Sequence, residues 1–383
     1  KAGMIYGVLD VAFGPDGRRV VRAGADTTIK VWSVAAGEAA ATARSEAFRA
    51  LPGGREAAAV YPDPSFETRW LAGGRRGVAE VAFSPDGDLV AAANQDDCVR
   101  VYDTQTNRLL RTYREHRRNV GAVAFHPTEP WIASAGGGIA DVRPGRVRVW
   151  NHRTGETVRT IDGFIGPVSV LCFSRDGGRL YAGVGSQREV RSGEVVCCDT
   201  STGERVFRIA GLGGVRDVDL SSDERAIAVA AYGRLLRLYD TAKGTLTREF
   251  GSSVNTYSSV AFSPDGKRVA AGSHRWQVSL FDRESGETVW SQVEHSGAVM
   301  GIAFSPDGSR LVSGSVDRTT KVWDTHSGDV LLDLAGDAFE CHGVAFSPDG
   351  RTIASFGEAP YVALRSLADP RGGGPQADPW QIV

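Results

Sequence analysis

The feature that most constrains this 383-residue chain is a recurring motif, an apolar pair followed by Phe and Ser-Pro-Asp-Gly. The motif is intact at 81–87, 260–266, 302–308 and 344–350, and altered at 11–17, 123–129, 171–177 and 218–224. Its Phe or Leu anchors are Phe13, Phe83, Phe125, Phe173, Leu220, Phe262, Phe304 and Phe346, separated by 70, 42, 48, 47, 42, 42 and 42 residues. A repeat period of about 40–45 residues is typical of propeller blades.

Each repeat also predicts four short strands, which we label a to d. The Ser-Pro-Asp-Gly segment fits a type I turn, because Pro fixes φ at its second position and Gly closes it. Apolar runs such as 310–314 and 319–323 predict strands b and c, and 330–334 predicts the outer strand d. One repeat cannot bury both faces of its sheet, so neighbours must stack. We expect an all-β fold, a single β-propeller of eight blades; the alternative is seven blades plus an extra unit.

The repeat around Phe304 resembles the WD40-repeat β-propeller family. It has His before strand a, Ser in strand b, Asp in the b–c turn and Trp-Asp at the end of strand c. The resemblance implies a hydrogen-bonded structural tetrad of His295, Ser313, Asp317 and Trp323. The third repeat keeps His116, Ser134 and Trp150, whereas the first has Arg22 at the Ser position.

Two segments depart from the repeat within a propeller expected to span residues 1–383. The first anchor spacing is 28 residues longer than the 42-residue period, which places extra sequence at about 39–66. We interpret it as an insertion between strands c and d, the alternative being an eroded blade. The segment at about 369–379 is rich in Gly and Pro and predicts a flexible stretch, after which 380–383 could return as an edge strand.

Composition excludes several classes of function. A net charge of −2 argues against general nucleic-acid binding, and no apolar run approaches the roughly 18 residues of a membrane span. The five Cys are scattered without a CxxC pair, which argues against a zinc site or a disulfide scaffold and favours a reducing, cytoplasmic location. The 39 Arg against five Lys are typical of a GC-rich bacterial genome.

We expect no catalytic residues, metal site or cofactor. No Ser lies in a nucleophile elbow, and His274, His326 and His342 are isolated from other ligands. One enzymatic alternative is a quinone-cofactor dehydrogenase, because 282–290 resembles the tryptophan-bearing repeat of that class and Cys197-Cys198 its adjacent cysteines. Neighbouring residues on a strand point to opposite faces, however, which opposes a bond between the two sulfurs.

The candidate binding residues lie on the face that, in WD40 propellers, carries the d–a loops and b–c turns. The third and fourth b–c turns are six residues longer than that of the seventh repeat. With the adjoining d–a loop, they present Arg117, Arg118, Arg143, Arg146, Arg188 and Arg191. Arg clusters bind carboxylates or phosphates, although these could be ordinary surface cations neutralised by nearby acids. Other b–c turns carry Tyr232, His274, Arg275 and Trp276, in which Trp276 is either an exposed anchor or folded onto its own blade.

These observations favour a non-enzymatic scaffold that binds a protein or peptide partner, acidic or phosphorylated, through this face. By analogy with bacterial WD40 arrays, the chain would be part of a larger signalling or effector protein. The alternative is a propeller enzyme or small-molecule binder with its site in the central channel. A third possibility is a platform that assembles copies of itself.

Overall fold

The structure is a computed structural model that describes fifteen stretches of the chain. They are 8–17, 19–24, 29–33, 68–71, 78–104, 106, 108–117, 119–136, 144–185, 193–232, 236–251, 256–335, 340–357, 363–366 and 381–382. Within these ranges every regular element is a β-strand, as the short apolar runs between turn motifs predict.

Each of the eight repeats contributes four consecutive strands. Blades 1 to 4 are formed by β1 (Val8–Phe13), β2 (Arg19–Gly24), β3 (Ile29–Ser33), β4 (Thr68–Leu71), β5 (Val78–Phe83), β6 (Leu89–Asn94), β7 (Val99–Asp103), β8 (Leu109–Tyr113), β9 (Val120–Phe125), β10 (Trp131–Gly136), β11 (Arg146–Asn151), β12 (Thr157–Ile161), β13 (Val168–Phe173), β14 (Arg179–Val184), β15 (Gly193–Asp199) and β16 (Arg205–Leu212). Blades 5 to 8 are formed by β17 (Val215–Leu220), β18 (Ala226–Ala231), β19 (Leu236–Asp240), β20 (Leu246–Phe250), β21 (Tyr257–Phe262), β22 (Arg268–Ser273), β23 (Val278–Asp282), β24 (Thr288–Gln292), β25 (Val299–Phe304), β26 (Arg310–Ser315), β27 (Thr319–Asp324), β28 (Val330–Ala335), β29 (Cys341–Phe346), β30 (Thr352–Gly357), β31 (Ala363–Ser366) and β32 (Gln381–Ile382).

The strands of each blade pair antiparallel in chain order, a to d, so every blade is a four-stranded meander. The a strands form the inner ring: β1 packs against β5, β5 against β9, and so on to β29, which packs against β1. The propeller fold expected from the repeat is confirmed. Because blade 1 stands between blades 8 and 2, the alternative of seven blades with an extra unit outside the ring is wrong.

The Ser-Pro-Asp-Gly motifs form the a–b turns. In blade 7, Gly308 N–H donates to the carbonyl of Ser305 at 2.8 Å, which closes the expected turn. The Ser305 hydroxyl donates to Asp307 at 2.5 Å and accepts the Arg310 N–H at 2.9 Å. The motif therefore both reverses the chain and fixes the start of strand b.

The turns also make the contact that closes the ring. The Cβ position of Gly308 lies 3.4 Å from Cδ of Pro264 in the preceding blade. The same relation joins the ends of the chain, since the Cβ position of Gly17 lies 3.4 Å from Cδ of Pro348. Blades 8 and 1 therefore meet by the same side-by-side packing as the others, each blade being built from consecutive strands.

The core lies between blades. Strand b is the most buried, as in Ala91–Ala93 of β6, whose side chains have no exposed surface. One cluster joins the buried faces of blades 6 and 7 through Trp290 and Trp323, which stack at 6.0 Å between ring centroids. The outer d strands expose aliphatic side chains instead, such as Leu331 and Leu332 in β28.

The irregular segments identified in the sequence belong to the first and the last blade. Strand β3 ends at Ser33 and pairs with β4, which begins at Thr68, so residues 39–66 connect strands c and d of blade 1. Strand β32 pairs with β31 as the outer strand of blade 8. Residues 39–66 and 369–379 themselves lie outside the described residues.

Candidate functional site

The two faces of the propeller are defined by their connections. We call the face with the d–a loops and b–c turns the upper face, and the face with the a–b and c–d turns the lower face. In blade 7, His295 of the d–a loop bonds to Asp317 of the b–c turn, which shows that these two connections meet.

The tetrad residues of blade 7 form a continuous hydrogen-bond chain from strand c to the upper face. The Trp323 indole N–H donates to Ser313 Oγ at 2.8 Å, and that hydroxyl lies 2.7 Å from His295 Nε2. His295 Nδ1 lies 2.9 Å from Asp317 Oδ2. Burial lowers the pKa of His295, so a neutral ring accepts from Ser313 and donates to Asp317.

Blade 3 keeps three of these positions. Trp150 Nε1–H donates to Ser134 Oγ at 3.1 Å, and Ser134 Oγ lies 2.7 Å from His116 Nε2. Burial, with the charges of Arg148 and Arg146, lowers the pKa of His116 to about 3. The b–c turn where an Asp partner would stand lies outside the described residues, and in blade 1 Arg22 is fully buried at the Ser position.

The arginine group expected on blades 3 and 4 falls mostly outside the described residues. Arg118, Arg143, Arg188 and Arg191 all belong to that undescribed part. Arg117 is exposed in the d–a loop that precedes blade 3. Arg146 opens β11 and forms an ion pair with Asp162, so its guanidinium is already engaged on its own blade.

The remaining predicted residues, Tyr232, His274, Arg275 and Trp276, lie in the b–c turns of the adjacent blades 5 and 6. Arg216, the second residue of β17, lies 4.9 Å from the ring centre of Tyr232 and donates from Nη1 to its hydroxyl at 2.6 Å. Burial and the charge of Arg216 lower the pKa of His274 in the neighbouring b–c turn. His274 Nε2 is buried and has no hydrogen-bond partner among the residues that the structure describes.

The rest of the blade 6 turn faces solvent. The side chain of Arg275 is exposed, and that of Trp276 is 48% exposed. Trp276 also has φ of 69°, in the left-handed region that favours glycine. The Trp276 ring is therefore exposed at this face and not folded into the blade core.

The inner ring carries half-buried carboxyl groups that bridge blades. Asp10 Oδ2 accepts the N–H of Val81 at 2.8 Å, and Asp217 Oδ2 accepts the N–H of Val260 at 2.9 Å. Burial raises the pKa of Asp10 and of Asp217 to about 7. Glu80 accepts the N–H of Val123, and burial followed by the charge of Asp10 raises its pKa well above its usual value.

In the part of the chain that the structure describes, the side chains are not arranged for metal binding or disulfide chemistry. Its His, Cys, Asp and Glu side chains form no group of three that could hold a metal ion. Cys197 packs between blades 4 and 5 and Cys198 between blades 3 and 4, so their thiols lie on opposite faces and both are free. In the same described part, no helix is both long and apolar enough to cross a bilayer.

Sequence reasoning missed Arg216 and the bridging carboxyls. The available signal for Arg216 was its position, since the equivalent residues of neighbouring blades are Ser169 and Ser258. The signal for Asp217 was an acidic residue in an otherwise apolar strand a. The sequence does not show what faces either residue across the blade boundary, so this signal alone does not identify them.

Comparison with known families gives two matches. A family model described as WD domain, G-beta repeat matches residues 5–33, 67–103, 107–151 and 286–324. A second, described as outer membrane protein assembly factor BamB, matches residues 135–293. The chain also superposes on a crystal structure of the computationally designed Ika8 protein with a TM-score of 0.74 and 21% identity, covering 96% of this chain and 98% of that one. That likeness supports the fold alone.

Among curated proteins, the chain is 30% identical to WD repeat-containing protein SL1-17 of Schistosoma mansoni, over 45% of this chain and 54% of that protein. It is 33% identical to eukaryotic translation initiation factor 3 subunit I of Pyricularia oryzae, over 34% of this chain and 36% of the subunit. The Neurospora crassa subunit is 29% identical over 42% and 40%. The chain thus spans about half or less of each relative. All three are eukaryotic, so they do not support a bacterial origin.

Proposed function

We propose that this chain, which carries WD40 repeats on an eight-bladed β-propeller, is a non-enzymatic scaffold that binds a protein or peptide partner through its upper face. The observation that carries the proposal is the group of Arg216, Tyr232, His274, Arg275 and Trp276 on two adjacent blades. Arg and aromatic side chains dominate the energetics of protein interfaces. WD-repeat relatives, including a subunit of a translation initiation factor, accord with an interaction role in general.

The finer parts of the proposal concern the partner and its setting. We propose an acidic or phosphorylated partner, because Arg216 and Arg275 form no ion pair with any described residue and so keep their charge for a ligand. We further propose that the chain works in the cytoplasm, as part of a larger bacterial signalling or effector protein.

The test is a capture experiment with the two faces compared. Arg275→Glu reverses a charge on the upper face, and Lys243→Glu reverses one in the exposed c–d turn of the lower face. Captured proteins are identified by mass spectrometry and then rebound as purified components. The proposal predicts that Arg275→Glu weakens binding while Lys243→Glu leaves it unchanged, and equal effects would contradict it.

The arginine group of blades 3 and 4 needs its own variant. Replacing Arg143, Arg146, Arg188 and Arg191 together with Ala removes that group without touching blades 5 and 6. If the purified partner binds this variant as it binds the wild type, then these arginines are not part of the interface. Loss of binding with retained folding would extend the interface across four blades.

A second candidate function, a small-molecule binder or quinoprotein-like enzyme with its site in the central channel, is favoured by two observations. The bridging carboxyls Asp10 and Glu80 lie together on the inner ring, and their pKa values are raised by burial. Residues 135–293 also match the BamB model, which is a family model other than the WD domain. Absorbance spectra and elemental analysis of the purified protein test it, because a bound chromophore or stoichiometric metal would support it and a clean apo protein would contradict it.

A further inference from the structure

The b–c turns of blades 2, 6 and 7 have the same backbone but different side chains. Each is a five-residue turn whose fourth residue has positive φ: Asp97 at 69°, Trp276 at 69° and Arg318 at 71°. In blade 6, Ser273 N–H donates to Gln277 O at 3.0 Å, and in blade 2 Asn94 N–H donates to Cys98 O at the same distance. The turns can therefore be compared residue by residue.

At the third position, two turns have an Asp that stabilises its own blade. Asp96 binds the Arg100 guanidinium through both carboxylate oxygens, at 2.9 and 2.7 Å. Asp317 accepts hydrogen bonds from the Thr319 hydroxyl at 2.7 Å and the Ser296 N–H at 2.8 Å. Blade 6 has Arg275 at this position, which cannot accept a hydrogen bond and is exposed. The charge is thus inverted, and the stabilising contacts are lost.

At the fourth position, blade 6 combines two features that each oppose folding stability. A bulky side chain in the left-handed region is strained because its Cβ approaches the backbone. The strain is not offset by burial, because the Trp276 ring is 48% exposed. Gly or Asn would suit this backbone better than Trp. Because Asp97 and Arg318 share this φ, what sets blade 6 apart is the exposed aromatic ring at the strained position, and that ring is a reason to infer function.

The surroundings of Trp276 indicate what it would contact. Val278 pairs with Gln292, so the d strand continues beside the turn into Val293, whose side chain is 57% exposed. By this register, both exposed apolar residues belong to the upper end of blade 6. Arg216, Arg275 and Arg318 lie on three successive blades and form no ion pair within the part of the chain described by the structure.

We propose that Trp276 is the anchor for an acidic peptide segment of a protein partner, one that places an apolar side chain on Trp276 and Val293 and its Asp or Glu carboxylates on Arg216, Arg275 and Arg318. The inference rests on the proposed function and names the partner chemistry of that face. The cations are spread over three blades instead of converging on one point, which fits several separate carboxylates better than one phosphate group. Exposed Glu294 beside Val293 and the net charge of −2 disfavour a nucleic-acid backbone.

The experiment uses the full chain and an array of fluorescein-labelled nonapeptides. Each peptide has a central Phe or Leu, flanked by Glu, Lys, Ser or phosphoserine, and a single-stranded RNA nonamer is included. We expect the wild type to bind the Glu-flanked peptides most tightly. Trp276→Gly should weaken that binding at least about tenfold, as expected for an anchor residue. Asp97→Gly is the matched control for backbone strain, since it relieves the same φ in the equivalent turn of blade 2 and lies outside the proposed site.

Thermal unfolding separates an interface role from a structural one. Trp276→Gly relieves strain, so its unfolding midpoint should equal or exceed that of the wild type. The inference would be overturned if Trp276→Gly had a lower unfolding midpoint than the wild type or bound the Glu-flanked peptides with unchanged affinity. It would also be overturned if the wild type bound phosphopeptide or RNA more tightly than the Glu-flanked peptides and this binding depended on Trp276. If Trp276→Gly still captures the partners that Arg275→Glu loses, the inference fails while the proposed function stands. If neither variant affects capture, both fail.

Discussion

The carboxylate of Asp217 accepts the backbone N–H of Val260 across the boundary between blades 5 and 6, at 2.9 Å. Burial raises the pKa of Asp217 to about 7. A carboxyl whose pKa is higher in the folded than in the unfolded protein contributes stability that is complete below the unfolded pKa, about 3.9, and is lost as pH rises through 7. We therefore expect the free energy of unfolding to fall between pH 4 and 7.

Asp217→Asn tests this assignment by chemical denaturation across that range. The amide oxygen can still accept from Val260 but carries no charge, so at pH 8 the variant should be more stable than the wild type by at least about 1.4 kcal/mol. At pH 4 the two should be similar. The control is Asp282, whose pKa is lowered by the backbone N–H of Ser285; Asp282→Asn should lose stability at pH 8. A destabilised Asp217→Asn at pH 8 would refute the assignment.

The tetrad of blade 7 gives the second prediction. Ser313→Ala removes the acceptor of the Trp323 indole N–H and the donor to His295, both of which are buried. Leaving buried polar groups unsatisfied should cost about 1–3 kcal/mol in urea unfolding. Ser296→Ala is the matched control, because that side chain is exposed next to His295 and should change stability by less than about 0.5 kcal/mol. Equal effects would mean that the tetrad contributes nothing to stability.

Much of the fold follows from local chemistry that is visible in the sequence. The Ser305 to Gly308 turn and the strands on either side of it are fixed by residues within a few positions, so the repeat predicts them. The tetrad could be located because His295, Ser313, Asp317 and Trp323 hold fixed offsets within one repeat. Closure of the ring could not be predicted, because the contact between Pro348 and Gly17 joins opposite ends of the chain.

The candidate site was harder to predict for the same reason. Trp276 and Tyr232 could be assigned to b–c turns by counting residues, but exposure depends on what neighbouring blades leave open. In the sequence, Arg216 looks like an ordinary strand residue. Only the structure shows that it contacts Tyr232, sixteen residues later. Contacts that cross blade boundaries therefore decide the site, and one sequence alone does not show them.

The position of Tyr232 depends on a glycine, which gives the third prediction. A Cβ at Gly213 would lie 1.3 Å from the carbonyl oxygen of Tyr232, so any side chain there must displace the turn. Gly213→Ala should destabilise the protein by about 3 kcal/mol or more and weaken partner binding. Gly211→Ala is the comparison, because it has positive φ but no neighbour within 4 Å and should cost only about 1–2 kcal/mol. Equal costs would show that backbone strain alone explains both.

The cysteines give the last prediction, which also bears on the quinoprotein alternative. Cys197 and Cys198 are buried on opposite faces of β15, and burial raises the pKa of Cys197 to about 12 and that of Cys198 to about 11. The thiolate is the reactive form, so a thiol reagent at pH 8 should modify neither residue in the native protein. After unfolding in guanidinium without reductant, all five thiols of the chain should react. Cys198→Ser should lower that number to four, whereas a bond between Cys197 and Cys198 would give three in the wild type and four in the variant, leaving the wild-type value to decide between them.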